Sequence, residues 1–352
     1  HKIVSVLLSG PYNKTFDYIL LEKRSDKVGQ LVIVPFRNRE VLGIVVNKGT
    51  DNLPIEKLKK VKVVVNLPLI SKVYVDFIDF FSDWNCADKG NVFKLIISPF
   101  DKKTLQNLGH KNYSSLKLEQ SKLKAENVIK ELNQEQKEAS KKILEGFTSE
   151  SSKCFLLDGV AGSGKTETYF QAVKYCLRNG KQALILLPEI GLTSDWELRF
   201  QKSFGFKPLV WHSGITKSRK KKIWLSVLLE KSLVVVGARS ALFLPFKNLG
   251  LIVIDEEHDL SFKQDEGLRY HARDMSVYLA AKKKIPIVLS SATPSVESLF
   301  NVKTKKFSKL NLFSRATGSS LPEIKIIDLK KSPPQRDSWL SEVMIDELKK
   351  RF

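Results

Sequence analysis

Cysteine is scarce in this chain, with three residues in 352. Cys86, Cys154 and Cys176 stand far apart, with neither the CxxC pairing of a zinc site nor the density of a disulfide scaffold, so a reduced, cytoplasmic setting is expected. No apolar run reaches the roughly 18 residues a membrane span needs, and His1-Lys2-Ile3 opens on a strand-like alternation rather than a signal peptide. No membrane partner is expected. An initial Met is also lacking, which fits a piece of a longer gene product. Acidic side chains are in deficit, 38 Asp and Glu against 59 Lys and Arg, for a net charge of +21. Such an excess favours a polyanion bound through phosphate neutralisation and counterion release, with nucleic acid the leading candidate.

What is present divides into two patterns. From Ile3 to Val65 short alternating runs predict strands at Ile3–Leu8, Phe16–Leu20, Leu31–Val34 and Val41–Val46. Val73, Phe77, Phe80 and Phe81 fall at helical spacing and close this β-rich domain, 1–98, with a helix over Lys72–Trp84. Residues 99–130 are polar and Lys/Asn/Ser-rich and read as a linker. Beyond Glu131 helices alternate with apolar strands at Cys154–Leu157, Ala183–Leu187, Leu233–Val236, Leu251–Ile254 and Ile287–Leu289. That alternation predicts an α/β lobe, 131–300, with a parallel sheet flanked by helices. A connector, 301–352, follows, with a strand expected at Ile324–Asp328 and an amphipathic helix near Glu342–Lys350.

The chemistry concentrates in the lobe. Gly159-Val160-Ala161-Gly162-Ser163-Gly164-Lys165-Thr166 matches G-x-x-x-x-G-K-[ST] between the strand Phe155–Leu157 and a helix expected over Thr166–Leu177. Its backbone N–H groups would cradle the phosphates of ATP, Lys165 would bridge the β- and γ-phosphates, and Thr166 would ligate Mg²⁺. A second apolar strand delivers Asp255-Glu256-Glu257-His258 at its carboxyl end, where open α/β sheets bind ligands. Asp255 would hold Mg²⁺ and Glu256 would orient and deprotonate the attacking water, with His258 in the same box. Ser290-Ser291-Ala292-Thr293 ends a further strand and, in this order, looks like the coupling motif of superfamily 2 helicases.

Leu187 to Thr193, His212-Ser213-Gly214, Val236 to Phe246, Asp255 to Asp259 and Phe262 to Asp274 together resemble the amino-terminal half of the PriA family, the primosomal replication-restart helicases. The resemblance covers most of Glu131–Leu329. It implies a RecA-like helicase lobe that unwinds DNA 3′ to 5′ at stalled forks. It also implies that Gln136, in Leu132-Asn-Gln-Glu-Gln136, reads the adenine edge, and that Phe262 to Asp274 is an aromatic-rich loop reporting single-stranded DNA. Phe262 and Tyr270 would then stack on bases while Lys263, Arg269 and Arg273 contact phosphates. Thr193 and Arg239 would face the DNA backbone.

Lys14 to Tyr18, Val34-Pro35-Phe36 and Gly43 to Val46 are similar to the family's 3′ DNA-binding domain. By that resemblance it captures the 3′ end of a nascent strand, with Asp17 accepting a hydrogen bond and Lys59 neutralising a phosphate. Arg37 departs from the family, which has glycine after Val-Pro-Phe. Residues 99–130 are too few for the family's winged-helix domain, which is expected to be absent or vestigial. A second lobe would have to supply the remaining arginines, so this chain should bind ATP but hydrolyse it poorly. Zn²⁺ is expected only in the carboxy-terminal half of the family's proteins. Forked and single-stranded DNA, primosome and single-strand-binding proteins are the implied partners, and a monomer is expected. Two other functions fit the same motifs, an ATP-gated DNA-binding scaffold and a duplex translocase without strand separation.

Overall fold

The computed structural model describes residues 2–20, 27–50, 54–101, 104, 131–188, 191, 193–315, 324–334 and 338–350. Most of the segment expected to be a linker or vestigial winged helix, 105–130, lies outside the described residues. The chain divides into two units, 1–316 and 317–352.

Alternating apolar residues make the first sheet. Strands β1 (Lys2–Leu8), β2 (Thr15–Leu20), β3 (Leu31–Phe36), β4 (Arg39–Lys48) and β5 (Val63–Val64) pair antiparallel in the order β2-β1-β4-β3-β5. Because side chains alternate across a strand, Val4, Val6 and Leu8 face one cluster with Tyr18, Val32 and Val34, while Leu7, Leu31 and Ile33 face another. Helices α1 (Lys72–Asn85) and α2 (Lys89–Ile96) cover the second face.

The second sheet is built from near-continuous apolar runs, the pattern of strands buried on both faces. Strands β6 (Cys154–Gly159), β7 (Gln182–Leu186), β8 (Leu209–Trp211), β9 (Val234–Gly237), β10 (Leu249–Asp255), β13 (Ile287–Ser291) and β14 (Ser308–Leu312) lie parallel in the order β14-β6-β13-β10-β7-β9-β8. Helices α3 (Gln134–Glu145), α4 (Lys165–Arg178) and α5 (Ser194–Phe204) pack on the face carrying Leu157, Ile185 and Val253. Helices α6 (Lys217–Leu228) and α7 (Ala272–Lys283) pack on the face carrying Leu156, Leu186 and Ile254. Helix α8 (Val296–Lys303) leads into β14, and the two-residue strands β11 (Lys263–Gln264) and β12 (Tyr270–His271) form a small hairpin. Among the described residues no helix is long and apolar enough to cross a membrane.

The two sheets share one apolar body, because α1 lies against the lobe. Phe77 and Phe81 meet Phe243, Phe80 stacks on Tyr278 at 3.4 Å, and Trp224 Nε1 donates to the Ile96 carbonyl at 2.6 Å. Phe77, Phe81 and Trp224 are fully buried, and truncating any one of them to Ala costs about 3–5 kcal/mol.

Within the seven-stranded sheet two strands escaped the sequence pattern. β8 is too short to register and β14, Ser-Lys-Leu-Asn-Leu, buries only Leu310 and Leu312 because it edges the sheet. In the second unit Ile324–Asp328 forms no strand, contrary to expectation, and Ile324 and Ile326 are exposed. The expected helix is present as α9 (Glu342–Lys349), capped by Ser341, whose hydroxyl accepts from Met344 N.

Candidate nucleotide site and DNA-facing elements

In an all-parallel sheet every carboxyl strand end opens on the same rim, and β6, β13 and β10 are neighbours there. The phosphate loop leaves β6 and turns into α4 at Gly164, where φ is +82°. Gly162, at φ +79°, has open space where a Cβ would sit. A side chain at Gly159 would collide with Ser163 Oγ at 2.6 Å. Lys165 is buried and its Nζ rests on the carbonyls of Gly159 at 2.8 Å and Val160 at 3.4 Å. Ser163 Oγ is buried without a hydrogen-bond partner. An orphaned hydroxyl in the glycine-rich loop and a lysine curled onto its own backbone fit a triphosphate with its Mg²⁺.

Asp255 ends β10, buried, and three donors orient its carboxylate. Tyr169 Oη donates to Oδ2 at 2.9 Å, Ser290 Oγ to Oδ1 at 2.7 Å, and Glu256 N to Oδ1 at 3.1 Å. Tyr169 also bonds Thr166 and accepts from Trp196 Nε1 at 3.2 Å, so the helix carrying Lys165 and Thr166 is tied to the box. Burial and the Asp255 charge push the Glu256 carboxyl up, while Lys165 and His258 pull it back. Glu256 adopts φ +50°, left-handed backbone that a side chain disfavours by about 1–2 kcal/mol. His258 Nδ1 shares a hydrogen bond with Ser291 Oγ at 2.7 Å and lies 3.7 Å from Glu256. The structure thus brings Lys165, Thr166, Asp255, Glu256 and His258 to one place.

Tyr169 and Glu257 were not singled out from the sequence. Tyr169 stands four residues after Lys165, one helical turn on the same face. Glu257 is fully buried and accepts from Arg273 Nη1 at 3.0 Å, Ser295 N at 2.7 Å, Ser295 Oγ at 2.9 Å and Ser298 Oγ at 2.9 Å.

Several expected contacts are otherwise employed. Gln136 does not present a free amide edge to adenine. It is buried, its Oε1 accepts from Asn133 N at 2.9 Å in a capping box, and its Nε2 donates to Ser163 O at 2.8 Å. Phe262 and Tyr270 do not offer stacking surfaces, since both are buried and Tyr270 packs against Phe81 and Phe243. Arg273 does not face a phosphate, because its guanidinium is held by Glu257, Asp274 and Ser295. Arg239 Nη1 donates to the carbonyls of Ser261 at 2.8 Å and Lys263 at 3.0 Å, and so supports the hairpin loop. Thr193 caps α5, accepting from Trp196 N at 3.2 Å. Lys263 and Arg269 are exposed on the β11–β12 hairpin, Lys263 beside Asp265 at 3.2 Å and Arg269 Nε donating to Asp265 O at 3.2 Å.

In the first sheet Asp17 Oδ2 accepts from Thr50 N at 3.0 Å and Thr50 Oγ1 at 2.8 Å. Thr50 lines a cleft of 760 Å³ between the sheet and α1, walled also by Lys14, Lys48, Lys72 and Lys89 and by Asp76 and Asp79, the last paired with Lys89 at 2.7 Å. Lys59 is exposed outside that cleft, its carbonyl accepting from Ile19 N. Arg37 turns the β3–β4 hairpin at φ +51°.

A DEAD/DEAH box helicase family matches residues 133–302, and the 3′DNA-binding domain (3′BD) family matches residues 5–98. The replication restart protein PriA of Rickettsia conorii is 41% identical over 99% of this chain and 51% of its own length. That of Haemophilus influenzae is 33% identical over 99% of this chain and 56% of its own. That of Bacillus subtilis is 42% identical over 56% of this chain. A solved structure of the DNA-bound helicase MrfA aligns over 54% of this chain at 18% identity with a TM-score of 0.39, too slight a likeness to carry an argument. The chain spans about half the length of the PriA proteins that it matches over 99% of its residues. The chain thus joins a 3′DNA-binding domain to a DEAD/DEAH box helicase domain, and over nearly its whole length it is similar to about half of the PriA replication restart proteins, consistent with an amino-terminal half.

Proposed function

We propose that this chain is the ATP-binding part of a 3′ to 5′ DNA helicase that restarts replication at stalled forks. The meeting of Lys165 with the Asp255-Glu256 pair supports this best, because Tyr169 ties their two strand ends together.

Lys165 exchanges the carbonyls of its own loop for the β- and γ-phosphates, and the loop N–H groups hold the remaining oxygens. Thr166 and Asp255 are the ligands for Mg²⁺, which when bound neutralises phosphate charge. Asp255 keeps its orientation through Tyr169 and Ser290. Glu256, made more basic by burial and by Asp255, orients the attacking water and takes its proton. Ser290 and Ser291 touch Asp255 and His258, so movement of β13 is felt at the box. In the first sheet, the lysine-walled cleft beside Thr50 and Asp17 suits a DNA 3′ end. The likeness to PriA supports polarity, fork recognition and primosome assembly.

Nucleotide binding tests the site. Lys165→Ala should abolish binding of a fluorescent ATP analogue while leaving the melting temperature near that of the parent. Undiminished affinity would overturn the assignment.

A further inference from the structure

Helix α6 opens with Lys217-Ser-Arg219-Lys220-Lys221-Lys222, and no acidic residue stands in its first turn. Cations at a helix amino terminus oppose the macrodipole, each by about 0.3–1 kcal/mol, and like charges on neighbouring faces repel one another. Five in six positions therefore load this end with positive potential that an anionic partner would relieve.

Part of that charge is met locally, and Arg219 too is engaged. Lys217 pairs with Asp101 at 3.3 Å, with both side chains more than half exposed. Lys221 donates to Thr104 Oγ1 at 2.9 Å and Lys220 to Ser213 O at 3.2 Å, neutral oxygens in both cases. An exposed pair of the first kind contributes about 0–1 kcal/mol.

Position gives the patch its meaning. Helix α6 follows β8, so its charged end opens on the same rim as the phosphate loop and the Asp255 box. Along β6-β13-β10-β7-β9-β8 the two ends lie five strand steps apart, about 24 Å at the usual spacing. Arg239, which follows β9, the neighbour of β8, reaches across to the loop after β10 that carries exposed Lys263. Successive helical residues turn by about 100°, so the five cations fan around the axis rather than line a single groove. The nearby ring of Trp211 is buried, which leaves no platform for an unstacked base.

We infer that the amino-terminal end of α6 is a docking surface for the sugar-phosphate backbone of duplex DNA. The inference rests on the motor function proposed above and adds where the lobe holds the double-stranded arm.

Equilibrium binding of a blunt duplex and of a single-stranded oligonucleotide, each titrated with salt, tests it on the K217A/R219A/K222A variant. Losing three phosphate contacts should flatten the log–log salt slope for duplex by about 2.7, so that going from about 50 to 200 mM salt costs the parent about 40-fold more affinity than the variant. The single-strand slope and ATP-analogue affinity should stay unchanged. An unaltered duplex slope overturns the inference, and an equal loss on single strands overturns the duplex assignment. A charge-retaining K217R/R219K/K222R chain should keep the parental slope, and its failure to do so would make the effect structural and sink the proposal. Because Lys165→Ala reports on nucleotide alone, loss of the α6 surface and loss of the ATP site are read separately.

Discussion

Arg273 Nη1 lies 3.0 Å from Glu257 Oε2, with the two side chains 7% and 0% exposed. Burial on this scale makes the pair obligatory for both members, since either alone would be an uncompensated charge in a poorly solvated place. The pair joins the third residue of the acidic box to α7, and the hydroxyls of Ser295 and Ser298 join it to α8.

Arg273→Ala should therefore destabilise the chain by about 3–5 kcal/mol, seen as a lower urea midpoint. A shift below about 1 kcal/mol, the size typical of an exposed pair, would mean that water already reaches Glu257.

Arg37 makes an opposite case. It holds a left-handed backbone, φ +51°, at the turn of the β3–β4 hairpin. Glycine meets no Cβ penalty there, so Arg37→Gly should raise stability by up to about 1 kcal/mol, less what is lost with the guanidinium 5.7 Å over the Phe36 ring. A fall in melting temperature would show that the cation–π contact outweighs the strain.

Lys283 lies at the seam between the two sheets. Its Nζ donates to Phe246 O at 3.2 Å and sits 5.2 Å from the Tyr74 ring, and burial pushes its pKa down to about 8. The unfolded chain keeps this proton to about pH 10.4. Between those limits the unfolded state binds more protons, so stability rises with pH across the window and the full penalty is present below it. Denaturant midpoints of the parent and of Lys283→Met should diverge in pH dependence above pH 8, with the parent gaining. Parallel curves would show that the ammonium is solvated.

The parts of this fold legible in the sequence were those set by local pattern. Apolar runs such as Leu251–Ile254 announce a buried parallel strand, and the phosphate loop carries its own conformation in Gly162 and Gly164. Asp255 and Glu256 follow from the end of that strand. The aromatic loop was misjudged because composition records that Phe262 and Tyr270 are aromatic but not which way a single turn and a two-residue strand face them. Tyr270 turns inward because Phe81, nearly two hundred positions earlier, supplies the surface it covers. Arg273 was assigned to phosphate on the same ground, its true partner being hidden inside the acidic box. Tyr169 has only its helical spacing from Lys165 to mark it, and the role of Glu257 depends on tertiary neighbours.

Because Phe77 and Phe81 are embedded with Phe243 in a common interior, the amino-terminal sheet is not a module on a tether. Whatever it grips is held at a set span from the phosphate loop, as by a ruler. On the function proposed above, length along a bound strand would then be set by geometry alone, without a flexible arm.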